Sequence, residues 1–141
     1  MKTTIQLTTS ARATERLARK LGPALKGQNI FLFGPLGSGK TTFVRGLARA
    51  LKIKEPIKSP TFVTEIIYAL KHGKLIHLDL YRFPHISPFE LKRLQELWQN
   101  ANFTFVGEWS ERLKSFPTPR YEISFREKAN EHREIEIRQI T

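Results

Sequence analysis

The chain has 141 residues, which suits one domain, and an apolar content of 40% with ten Phe supplies a core without staples. It has no Cys, so disulfides, thiolate zinc sites and Cys nucleophiles are excluded, and no stretch approaches the ~18 apolar residues of a membrane span. The formal charge of +11 is uneven: residues 1–58 hold twelve Lys and Arg against Glu15 and Glu55, whereas residues 59–141 hold twelve against eleven acids. Such a balance points to polyanions (nucleic acid, nucleotide phosphates or an acidic partner) without choosing among them. Twelve of the acids are Glu, so any step that needs an aspartate must use Asp79. The N-terminus has no apolar segment followed by a cleavage site, and a cytoplasmic protein without membrane contact is expected.

Residues 3–7 read as a short strand. From Ser10, a candidate N-cap, the residues Ala13, Leu17, Leu21 and Leu25 recur every four positions with Arg and Lys between them, the pattern of an amphipathic helix. Asn29–Phe33 (NIFLF) is a continuous apolar run bounded by Gly27 and Gly34, which suits a strand buried on both faces. A helix is expected from Lys40 to Leu51 with Phe43, Val44, Leu47 and Leu51 inward. Residues 62–70 and 74–80 read as a hairpin across Lys71, His72 and Gly73. Residues 87–99 predict a helix, capped by Ser87 before Pro88, with Phe89, Leu91, Leu94 and Leu97 as its apolar positions. Phe103–Val106 reads as another strand, and residues 121–126 and 133–140 as a second hairpin with a solvated Glu face. Alternation of strand and helix followed by hairpins predicts one α/β domain over 1–141 with a mixed parallel and antiparallel sheet flanked by helices.

Gly34–Thr41 (GPLGSGKT) fits G-x-x-x-x-G-K-[ST] at every fixed position, after an apolar strand and before a helix. Each fixed residue has a physical reason. Glycines let backbone N–H groups close around phosphate oxygens, and the following helix offers unpaired N–H groups and a positive dipole end. Lys40 adds a full charge near the β- and γ-phosphates, and the Thr41 hydroxyl suits Mg²⁺. Hydrolysis needs more: a metal clamp and a group that orients water. Asp79 and Glu108 both end apolar runs, which places them at the mouth of an open α/β sheet. Lys58–Phe62 (KSPTF) lies where a switch segment would follow the helix, with the Thr61 hydroxyl in reach of a metal or a γ-phosphate. The four His residues, at 72, 77, 85 and 132, have no paired metal-ligand spacing. By period two, His77 shares a strand face with Asp79.

In order and spacing, Gly34–Thr42 (GPLGSGKTT), Lys58–Phe62 (KSPTF), His77–Arg82 (HLDLYR) and Glu108–Glu111 (EWSE) together resemble the TsaE family over essentially the whole chain. That family supplies the small ATPase of bacterial tRNA threonylcarbamoyladenosine biosynthesis, a P-loop domain with a mixed sheet and a C-terminal β-hairpin. The resemblance implies ATP and Mg²⁺ as cofactors, and the TsaB and TsaD proteins as partners, with tRNA contacted through or within their complex. It implies Thr41 and Glu108 as Mg²⁺ ligands, and Asp79, Lys40 and Thr61 as catalytic groups. Gly34, Leu36, Gly37, Ser38, Gly39, Lys40, Thr41 and Thr42 would hold phosphates; Trp109 and Arg133 would lie beside the nucleotide, and Thr9 and Ser10 near its base. Pro35 and Gly107 depart from the family's usual residues. Two other readings share the loop: a small-molecule kinase, for which no lid insertion is evident, and a nucleotide-gated module that acts on nucleic acid through its basic surface.

Overall fold

Strand length and side-chain alternation decide the architecture of the computed structural model, which describes residues 1–58, 65–81 and 85–141. Seven strands form one sheet: β1 (Lys2–Thr8), β2 (Asn29–Phe33), β3 (Glu65–Ala69), β4 (Lys74–Asp79), β5 (Phe103–Glu108), β6 (Arg120–Glu127) and β7 (Arg133–Ile140). Their spatial order is β1-β7-β6-β2-β5-β4-β3. β2 runs parallel to both β5 and β6, and β4 parallel to β5. Antiparallel partners complete the edges, β3 on β4 at one side and β7 then β1 at the other. The expected mixed sheet is therefore present.

The central strands are apolar on both faces because helices cover both. Ile30 and Leu32 of β2 join one core with Phe43, Val44 and Leu47, while Phe31 between them joins the other with Phe105, Leu94 and Trp98. Helices α1 (Ala11–Leu25) and α2 (Lys40–Ala50) make the first layer, and α3 (Pro88–Gln99) belongs to the second. Ser10 and Ser87 cap α1 and α3, accepting from the Ala13 and Glu90 N–H groups at 3.0 and 3.1 Å.

Two helix faces differ from the periodic reading. On α1 the buried residues are Thr14, Ala18, Gly22 and Leu25, while Leu17 and Leu21 are only partly covered and Ala13 lies at the margin. Small side chains select that face, because α1 and α2 run side by side almost in backbone contact. A Cβ on Gly46 would lie 2.2 Å from the Glu15 carbonyl oxygen, and one on Gly22 would lie 2.2 Å from Ala50 Cβ. On α3, Phe89 is 79% exposed and Trp98 takes the core position instead. The Glu face of the last hairpin is also less solvated than expected. Glu122 accepts from Arg120 Nε at 2.7 Å and meets Arg138 at 3.4 Å, and Glu134 and Glu136 are partly covered. Residues 62–64 of the expected first hairpin lie outside the described residues.

Gly46→Ala should lower unfolding stability by about 1–3 kcal/mol, since the obstacle is backbone rather than a movable side chain. Urea denaturation measures this, and an unchanged midpoint would contradict so close a helix contact.

Candidate functional site

β2 ends at Phe33, and the loop that follows turns directly into α2 at Lys40. Gly34 has φ +146°, and a Cβ there would meet Ser38 Oγ at 2.8 Å and the Phe125 carbonyl at 2.9 Å. Gly39, the residue before the helix, has φ +108° and gives the first turn no side-chain cap, so the first helical N–H groups keep their capacity to donate. Thr14 packs near Gly39, and Gly22 near Ala50, so α1 and α2 are parallel. Both helices thus start at a common cleft of about 380 Å³, lined by Ser10, Ala11 and Thr14 from α1 and its cap, and by Lys40, Thr41 and Thr42 from α2. Two helix N-termini aimed at one hollow favour an anion there.

The acids arrive by strand register. Asp79 is the Cα partner of Glu108 across the parallel β4–β5 pair, and both side chains share the α2 face with His77. Thr41 Oγ1 lies 3.2 and 3.3 Å from the two carboxylate oxygens of Glu108. His77, fully buried, sets its Nε2 against Glu108 Oε2 and fixes that carboxylate from behind. Asp79 Oδ1 accepts from the Tyr81 N–H at 2.8 Å, which orients it at the cleft wall. A hydroxyl and a carboxylate this close offer hard oxygen donors. Among the described residues there is no group of three or more His, Cys, Asp or Glu that could cage a metal. That pairing suits a cation that keeps waters and shares phosphate oxygens, as Mg²⁺ does.

Lys40 is 4% exposed. Its ammonium donates to the Gly34 carbonyl and lies 3.9 Å from the centroid of the Trp109 ring. Burial holds its pKa below the ordinary lysine value, an effect offset in part by the carboxylates of Glu111, Glu108 and Asp79. Trp109 reaches this position through a left-handed backbone, φ +58° and ψ +42°, which is uncommon for a bulky residue. Tyr81 packs on its ring at 5.0 Å. Arg133, the first residue of β7, donates from Nε to the Ser38 carbonyl at 3.1 Å and from Nη2 to the Gly37 carbonyl at 3.2 Å. The last strand thereby grips the loop.

Of the residues singled out from the sequence, Leu36, Gly37, Gly39, Lys40, Thr41, Thr42, Ser10, Asp79, Glu108, Trp109 and Arg133 all line the cleft. Gly34 and the buried Ser38 shape the loop behind it, while Thr9 is exposed and does not line it. Thr61 lies outside the described residues. The sequence reading gave Glu111 no role, yet its Oε2 accepts from the Gly34 N–H at 2.9 Å. The signal was its place three residues after Glu108, which a short 3-10 turn at Ser110–Arg112 folds back toward the loop.

Residues 8–135 match the family model described as Threonylcarbamoyl adenosine biosynthesis protein TsaE. The chain belongs to the TsaE family. The tRNA threonylcarbamoyladenosine biosynthesis protein TsaE of Aquifex aeolicus is 50% identical over 114 residues, covering 74% of this chain and 75% of its own. That of Treponema pallidum is 38% identical over 132 residues, covering 91% and 95%. The crystal structure of Bacillus subtilis YdiB has the same fold, with a TM-score of 0.78 at 24% identity over 99% of this chain and 87% of that one.

A buried ammonium with a lowered pKa costs stability while it is charged. The cost is fully present below the folded-state pKa and lifts as pH rises toward 10.5, because the unfolded chain then holds more protons than the folded one. Lys40→Met should therefore be at least as stable as the wild type at pH 7, with its advantage shrinking as pH approaches 10. Chemical denaturation across pH measures the difference; an advantage that grew with pH would contradict the burial argument.

Proposed function

We propose that this chain serves tRNA threonylcarbamoyladenosine biosynthesis as a Mg²⁺-dependent ATPase, an accessory subunit that supports turnover of the TsaB and TsaD proteins. The observation that carries the reading is the convergence at one cleft of a phosphate-loop lysine, the N-termini of α1 and α2, and two strand-end carboxylates in register. The loop N–H groups and Lys40 bind the β- and γ-phosphates, which the dipole ends of both helices favour. Thr41 and Glu108 would hold the metal, with the Glu108 carboxylate steadied by His77. When bound, Mg²⁺ would neutralise negative charge on the phosphates.

Asp79 orients the attacking water and accepts its proton, with its carboxylate held by the Tyr81 N–H. Thr61 acts from the switch segment. Trp109 covers the Lys40 ammonium and excludes water from it, and Arg133 keeps the loop carbonyls turned away from the phosphates. In the same reading, tRNA is contacted within the complex, and turnover by the isolated chain is slow.

Lys40→Ala should lose ATP affinity at least tenfold by calorimetric titration. Asp79→Ala and Glu108→Ala should keep most of that affinity and lose about 10²–10⁴-fold in phosphate release. Normal hydrolysis by Asp79→Ala would overturn the placement of that residue. A phosphorylated acceptor in place of inorganic phosphate would favour a kinase. Association with TsaB and TsaD that strengthens with ATP and Mg²⁺ is expected in co-purification, and its absence would remove the accessory role.

A further inference from the structure

α2 starts at the phosphate loop and ends, about 16 Å away at 1.5 Å per residue, in a strongly basic surface. Two adjoining hollows of about 430 and 360 Å³ share Arg49, Ile53 and Lys54. Arg19 from α1 and Lys52 complete one, and Arg45 and Glu55 belong to the other. All five bases are exposed, and among the described residues none of them makes an ion pair. In the C-terminal hairpin, by contrast, Arg120, Arg126, Lys128 and Arg138 all lie against Glu side chains. With five bases against Glu55, the groove itself has a surplus of four positive charges.

The backbone supplies a second observation. Past the end of α2, the Ile53 N–H bonds the Ala48 carbonyl at 3.0 Å and the Lys52 N–H bonds the Arg49 carbonyl at 3.1 Å. This is the helix-ending pattern that usually puts glycine in the left-handed position, yet Lys52 occupies it at φ +65°. A charged residue held where glycine would relieve strain is a local rule broken in favour of the side chain.

We propose that this groove binds the phosphate backbone of a structured RNA, an inference that rests on the reading of the chain as a tRNA-modification subunit. Charge complementarity selects the partner. A protein-binding patch is expected to have an apolar or aromatic anchor at its centre, whereas here five exposed side chains are basic, Glu55 and Pro56 are the other exposed ones, and the central apolar residue, Ile53, is partly buried. Five Arg and Lys side chains against the one acid, Glu55, suit phosphates, which position a nucleic acid without reading its sequence.

The test titrates fluorescent unfractionated tRNA with the full chain at several salt concentrations, with ATP affinity measured on the same preparations. Arg49→Ala/Lys54→Ala should weaken tRNA binding at least tenfold, flatten the slope of log affinity against log salt by about 2, and leave ATP affinity unchanged. Lys52→Gly should weaken tRNA binding while its thermal midpoint stays equal or rises, which separates the groove from folding. Unchanged affinity in either variant, no tRNA binding by the wild type, or tighter binding to polyglutamate or phosphatidylserine vesicles would overturn the proposal. Intact ATP binding without tRNA binding overturns the groove alone. A wild type that bound tRNA but not ATP would instead overturn the functional reading and leave the groove standing.

Discussion

Lys40 carries an ammonium into a place where only 4% of the residue meets solvent, and a bare charge there would be expensive. Among the described residues no carboxylate forms a salt bridge with it. It is held instead by the Gly34 carbonyl, by the face of Trp109, and at longer range by Glu111, Glu108 and Asp79. That arrangement moderates the charge without satisfying it. Much of the nearby structure follows from this balance. β4 and β5 both end in an acid, the turn after β5 returns Glu111 to the loop, and Trp109 takes a strained backbone that brings its ring over the cation. An anion entering the cleft meets a positive centre that still lacks a full partner.

The two halves of the sheet have different tasks. The parallel strands β2, β5 and β4 deliver chemistry to their carboxyl ends, as open α/β sheets do. The antiparallel strands β6 and β7 deliver support. Their inward residues Ile123, Phe125, Ile135 and Ile137 extend the core under α1 and α2, and Arg133 holds the loop from outside the parallel block. His77 belongs to both tasks, since its strand supplies Asp79 and its ring steadies the Glu108 carboxylate of the next strand.

The phosphate loop, β2, α2 and the paired acids were legible because each depends on local sequence: a fixed motif, an apolar run, a strand end. The register of Asp79 against Glu108 was legible only as two strand ends at one mouth, since pairing is decided by loop lengths no motif records. On α1 Leu25 is buried as expected and Leu17 and Leu21 pack at the edge of the core, but hydrophobicity ranks these two above Ala18 and Gly22, whereas the fold ranks by how near another backbone must come. Phe89 failed in the same way: its position on the first turn of α3 points it away from the sheet that Leu94 and Trp98 meet. Glu111 escaped notice because its partner is a backbone N–H 77 positions away. Such contacts between distant segments leave no periodic trace.

The strand order also bears on when the cleft can exist. Of the seven strands described, β1 comes earliest in the sequence, yet its neighbour in the sheet is β7, which comes latest. β2 likewise waits for β5 and β6 before either of its edges is paired. During synthesis the phosphate loop therefore emerges long before the arginine that grips its carbonyls, and α1 and α2 must wait beside an incomplete core. A nascent chain stopped short of residue 133 carries the whole loop motif without the clamp that shapes it. The long separation of these contacts makes the pairing of β1 with β7, and the gripping of the loop by Arg133, late events in folding.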